Sequence, residues 1–148
     1  MEYLTKNHSK YLLQYHIIFV VKYRLKIIDQ FPIKDICSQL SINDNYIIKV
    51  MEVDKDHIHL LVQAEPKISP LYIVKKLKGK STIILWKNYS QILTRYFWKE
   101  HTFWSDGYFV STIGNVSEQT LQKYKIGRVS IKNIITNKQW IDKNSEHH

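Results

Sequence analysis

A chain of 148 residues, 44% hydrophobic and 13% aromatic, has enough apolar surface for one packed domain over residues 1–148, which excludes a disordered or low-complexity protein. Its 22 Lys and Arg against 13 Asp and Glu give a formal net charge of +9, which favours a polyanionic partner, nucleic acid ahead of an anionic membrane, over a neutral metabolite. The lone cysteine, Cys37, excludes an internal disulfide, a zinc ribbon and a Cys-x-x-Cys redox centre, so any metal has to be held by His, carboxylate or amide groups.

The first strand is expected over residues 11–21, rich in β-branched and aromatic side chains, with the basic run Lys22-Tyr23-Arg24-Leu25-Lys26 on the rim of a sheet. Its apolar run Ile17-Ile18-Phe19-Val20-Val21 is far too short to cross a bilayer, and the polar N-terminal segment has no signal-peptide pattern. A soluble, cytoplasmic protein without membrane contact is the expectation. Pro32 suits the first turn of a helix to about Leu40, with Ile33, Ile36, Cys37 and Leu40 on one face.

Residues 46–53 and 57–64 read as two strands of an antiparallel hairpin around the three-residue loop Asp54-Lys55-Asp56. In that register Val53 opposes His57 and Met51 opposes His59, with Ile48 and Val50 on the face of Ile58, Leu60 and Val62. Ser69 as N-cap and Pro70 as first helical residue open a second helix to about Lys87, with Leu71, Val74, Leu77, Ile84 and Leu85 on its buried side. An aromatic-rich connection, Tyr96-Phe97-Trp98 and Phe103-Trp104, leads to a fourth strand at 107–113. Asn115 with Glu118 resembles a capping box opening a third helix, which bears Leu121 and Tyr124 and meets Gly127 near its end.

The order β-α-β-β-α-β-α gives an α+β fold. Its first six elements form the split β-α-β (ferredoxin-like, RRM-like) antiparallel sheet with two helices on one face, followed by an additional C-terminal helix carrying the tyrosine.

The most telling segment is Asp56-His57-Ile58-His59-Leu60-Leu61-Val62. Alternate side chains of a strand share a face, so His57 and His59 stand side by side with Cα atoms roughly 6.5 to 7 Å apart, within reach of one metal ion. The same spacing also arises on sheet faces that bind nothing.

Taken in order, the segments Tyr15-His16-Ile17-Ile18-Phe19-Val20-Val21-Lys22-Tyr23-Arg24, Asp56 to Val62, Lys76-Leu77-Lys78-Gly79, Phe103-Trp104-Ser105-Asp106-Gly107 with the strand after it, and a helix bearing Tyr124 resemble the small single-tyrosine insertion-sequence transposases, the IS-two-hundred-like group with a His-hydrophobic-His (HUH) hallmark. The likeness covers about residues 10–128. It implies a metal-dependent enzyme that cleaves and rejoins single-stranded DNA at insertion-sequence ends through a 5′-phosphotyrosine and binds imperfect hairpins near those ends. It also implies Mg²⁺ or Mn²⁺ as cofactor, a homodimer, His57 and His59 as metal ligands and Tyr124 as nucleophile. Apart from the resemblance, Tyr124 reads as a half-buried tyrosine packed with Leu121 sooner than as a nucleophile.

One position departs from the family pattern. Where the group places a glutamine ligand four residues after the tyrosine, this chain has Arg128, which has no lone pair for a cation and is instead expected to hold the scissile phosphate. Glu52, Asp56, Gln122 or the DNA are the alternatives for the open position, although the hairpin register above turns Glu52 and Asp56 away from the histidines. The expected DNA contacts are Lys22, Arg24 and Lys26 after the first strand and Lys75, Lys76, Lys78 and Lys80 on the second helix. Aromatics around Trp98 and Trp104 suit either base stacking or the core. Two other readings fit the same features: a relative that binds DNA hairpins without cutting them, and an RNA-binding module of the same fold.

Overall fold

The computed structural model describes residues 12–113. The expected third helix, with Tyr124, and Arg128 lie outside them. Four strands, β1 (Leu13–Val20), β2 (Tyr46–Val53), β3 (His57–Ala64) and β4 (Phe109–Ile113), form one antiparallel sheet in the order β2-β3-β1-β4. Helix α1 (Ile33–Ile42) connects β1 to β2, and α2 (Pro70–Leu93) connects β3 to β4. This is the expected split β-α-β arrangement.

Strand alternation explains the layering. Tyr15, Ile17 and Phe19 of β1 share a face with Ile58, Leu60 and Val62 of β3, and this row packs on Ile33, Ile36 and Cys37 of α1 and Ile73, Val74, Leu77 and Leu85 of α2. Gln14, His16, His57, His59 and Gln63 take the opposite face. The aromatic connection mostly joins the core. Phe103 is fully buried, Trp104 packs edge-on to Phe19 and Phe103, and its Nε1–H donates to Ser81 Oγ at 2.9 Å. Trp98 is the exception, 72% exposed.

Several boundaries and faces differ from the sequence reading. Pro32 is the N-cap of α1 rather than its first residue. Ser69 does cap α2, its Oγ accepting from the backbone N–H of Tyr72 at 3.0 Å. The helix runs on to Leu93, through a break in helical geometry at Tyr89, and buried Leu93 carries the stripe of Leu85 and Trp86 past the polar Lys87-Asn88 pair. Leu71 is exposed, and Ile73 takes the buried place instead.

The hairpin correction has the largest consequence. Val53 pairs with Ile58 and Glu52 with His59, one residue out from the expected register. The connection is held open by its own backbone: Asp54 N–H donates to His57 O, while Asp56 O and Lys55 O accept from Val21 and Ile28. A bulge at Lys49, between Ile48 and Val50, then shifts the phase. Ile48, Met51 and Val53 pack toward the core, Val50 turns to the other side, and Glu52 stands on the histidine face.

Candidate functional site

His57 opens β3 opposite Val20, the last residue of β1, so the histidine pair lies at the end of the sheet from which the basic run departs. His57 is 7% exposed, and its Nδ1–H donates to Asp56 Oδ1 at 2.9 Å. That bond leaves the Nε2 lone pair available as a ligand. Burial favours the protonated form of Asp56, but the bond from His57 and the charge of Arg24 outweigh it and hold the carboxyl below the usual range. Arg24 reaches the other oxygen, Nε and Nη2 each 3.1 Å from Oδ2. To do so the chain places both Tyr23 and Arg24 at positive φ, 63° and 55°.

His59 is 1% exposed and its Nε2 lies 3.3 Å from Nδ1 of His16, the rings tilted by 59°. Burial, reinforced by the neighbouring His16 and His57, lowers its pKa to about 3, and burial lowers that of His16 to about 4. Both rings are therefore neutral at pH 7, the form that binds a metal. His59 Nδ1 and Glu52 Oε1, on residues paired across β2 and β3, are buried without a hydrogen-bond partner among the described residues.

The chemistry suits two imidazole ligands, one oriented by a carboxylate and one presenting a buried, unbonded nitrogen. Among the described residues no three His, Cys, Asp or Glu side chains are grouped to hold a metal ion. On the histidine face the described residues bring together the two imidazoles and the Glu52 carboxylate.

The described residues expected to contact DNA fall in four settings. Arg24 joins the histidine site through Asp56. Lys22 is mostly buried, its ammonium 2.7 Å from Glu100, and Lys26 is exposed. Lys75, Lys76 and Lys80 are on α2, which covers the sheet face opposite the histidines. Lys76 approaches Asp44 at 3.9 Å, whereas Lys75 and Lys80 are exposed. Lys78 donates to the carbonyls of Ser105 and Gly107, each at 2.7 Å, and so fastens the approach to β4.

Sequence reasoning missed His16 as a neighbour of the pair. A signal was present, since Gln14 and His16 are polar residues alternating with buried Tyr15, Ile17 and Phe19.

A family model described as transposase, IS200 like, matches residues 9–126. The chain belongs to the IS200-like transposase family. The transposase for insertion sequence element IS200 of Salmonella typhimurium is 32% identical over 110 residues, 72% of this chain and 71% of that one. The ISDra2 transposase TnpA of Deinococcus radiodurans is 32% identical over 117 residues, covering 77% and 82%. A crystal structure from Deinococcus radiodurans R1, described as that of a transposase, superposes with a TM-score of 0.66 at 29% identity, covering 88% of this chain and 94% of that one. The REP-associated tyrosine transposase bound to a REP hairpin shares the fold, with a TM-score of 0.54 at 11% identity over 82% of this chain and 68% of the other. The enzyme is a transposase. No helix among the described residues of this IS200-like transposase is long and apolar enough to cross a membrane.

Proposed function

We propose that this transposase cleaves and rejoins single-stranded DNA at insertion-sequence ends, with Tyr124 as the nucleophile and His57 and His59 as ligands of a divalent ion, Mg²⁺ or Mn²⁺. The observation that carries the proposal is the oriented histidine pair, His57 fixed by Asp56 and Arg24 and His59 neutral and buried, in a chain of this family. Tyr124 lies within the matched stretch and Arg128 beyond it.

The phenol oxygen of Tyr124 attacks phosphorus, forming a Tyr–O–P bond to the 5′ side while the P–O bond to the 3′ oxygen breaks and that oxygen leaves as a hydroxyl. Attack by a 3′-hydroxyl reverses the exchange, so the bond energy is conserved and no ATP is needed. A bound divalent ion supplies charge neutralisation at the phosphate. His57 and His59 would hold it, Asp56 fixes the His57 ring through its Nδ1–H, and Arg128 would bind the phosphate. DNA hairpins at the element ends, the ligand type of the REP-bound fold neighbour, are the proposed substrate, and the working unit is a homodimer.

The test is incubation with labelled single strands from both genomic flanks, in Mn²⁺ or EDTA, beside the same sequences as duplex. Metal-dependent cleavage of the single strand alone is expected. The absence of glutamine at position 128 favours one rival, a hairpin binder without cleavage. Tight binding with no cut in any flank or metal would establish that rival.

A further inference from the structure

At the turn that follows β1 lies an aromatic cavity of about 240 Å³, lined among others by Tyr23, Phe97, Trp98, Lys99 and Thr102. We propose that it seats one unstacked nucleobase of the bound strand and thereby fixes the strand's register at the cleavage site, an inference that rests on the single-strand DNA reading above.

Size limits the ligand first. The cavity falls below the roughly 300–1,000 Å³ usual for drug-sized ligands, so it suits a single heterocycle. Its surfaces are those that stack bases. Tyr23 is 55% exposed and Trp98 is 72% exposed, over a floor made by buried Phe97, whose ring is within 28° of parallel to Tyr23. Lys99 edges the cavity, its Nζ 5.0 Å from the Trp98 ring centre, while Lys22, with Nζ 5.7 Å from the ring centre of Tyr23, is paired with Glu100. Glu100, also at the cavity, has its charge opposed by Lys22 at 2.7 Å. Exposed aromatic faces edged with lysine fit a base attached to phosphate better than the apolar patch of a protein partner.

Backbone geometry ties the cavity to the chemistry. A bulky residue at positive φ is strained, and here two successive residues adopt it. The same turn presents the Tyr23 ring at the cavity and sends Arg24 to Asp56, the carboxylate that holds His57. A base seated on Tyr23 is thus one residue along the chain from the guanidinium that holds that carboxylate.

The experiment measures binding of a flank-derived single strand in EDTA, where no strand is cut, using a series of oligonucleotides each lacking one base. One position is expected to stand out, its abasic form binding about 5- to 100-fold more weakly. Tyr23→Ala and Trp98→Ala should show a similar loss on the intact strand with an unchanged salt slope, Tyr23→Phe should bind like wild type, and the loss should not add to that of the abasic strand. Normal binding by both alanine variants, or equal losses at every abasic position, overturns the base site alone. A change of oligomeric state on sedimentation in those variants, with unchanged DNA affinity, reassigns the patch to contact between copies. A strand that fails to bind wild-type protein overturns the DNA reading itself.

Discussion

Asp56 and His57, neighbours in sequence, are joined side chain to side chain, His57 Nδ1 donating to Asp56 Oδ1 at 2.9 Å. A carboxylate behind an imidazole raises its basicity and fixes its direction, and loss of such a partner typically costs 10- to 100-fold in metal affinity. Asp56→Ala should weaken Mn²⁺ binding by about that factor in a calorimetric titration, and Asp56→Asn, which keeps an acceptor, by less. Wild-type affinity in the alanine variant would show that the ring needs no such support.

Arg24 makes the same carboxylate sensitive to pH. Asp56 has a folded pKa below its unfolded value near 3.9, so its contribution to stability is present above that value and is lost as pH falls through the lower folded one. Arg24 supplies part of the shift, but its side chain is 59% exposed, which limits the pair to less than about 1 kcal/mol. Arg24→Ala should therefore lower the urea midpoint more near pH 7 than near about pH 2. Equal losses at both pH values would mean that the ion pair contributes nothing.

Both relationships surround a site that the sequence only partly disclosed. The apolar row of Ile17, Phe19, Ile58, Leu60 and Val62 was legible because period-two alternation needs only local information. The face of Glu52 was not, because one extra residue in the connection reverses the side chains from Val53 back to the bulge at Lys49. That extra residue is held by hydrogen bonds from Val21 and Ile28, remote positions that no hairpin rule includes. Asp56 was assigned away from His57 by strand alternation, yet it precedes the strand and its side chain turns back to the ring. The lysines of α2 read as one group, and only the fold separates Lys78 from the others.

Lys78→Met should keep an apolar side chain of similar length but lose the ammonium over the Phe19 ring and both charged hydrogen bonds to Ser105 and Gly107. A destabilisation of about 2–3 kcal/mol in urea is expected, with an unchanged salt slope for single-strand binding. Lys75→Ala and Lys80→Ala should behave oppositely, leaving stability within about 0.5 kcal/mol and lowering the slope by about 0.7 for each phosphate contact removed. A stable Lys78→Met protein with a reduced slope would return Lys78 to the DNA-binding set.

Cys37 is fully buried in α1, and burial pushes its thiol up to about 12. Only a minute fraction is thiolate near pH 8, so native protein should react with a thiol reagent only as fast as the fold opens, while protein in urea reacts at once. Rapid stoichiometric labelling of the native protein would contradict the packing of α1 against the sheet.

The central claim is that Tyr124 carries the DNA during strand exchange. Peptide mapping of the covalent protein–DNA product formed in Mn²⁺ tests it directly. The account predicts one modified peptide, with the nucleotide on Tyr124, absent in EDTA and absent from Tyr124→Phe. An adduct on another residue, or one that persists in Tyr124→Phe, would contradict it.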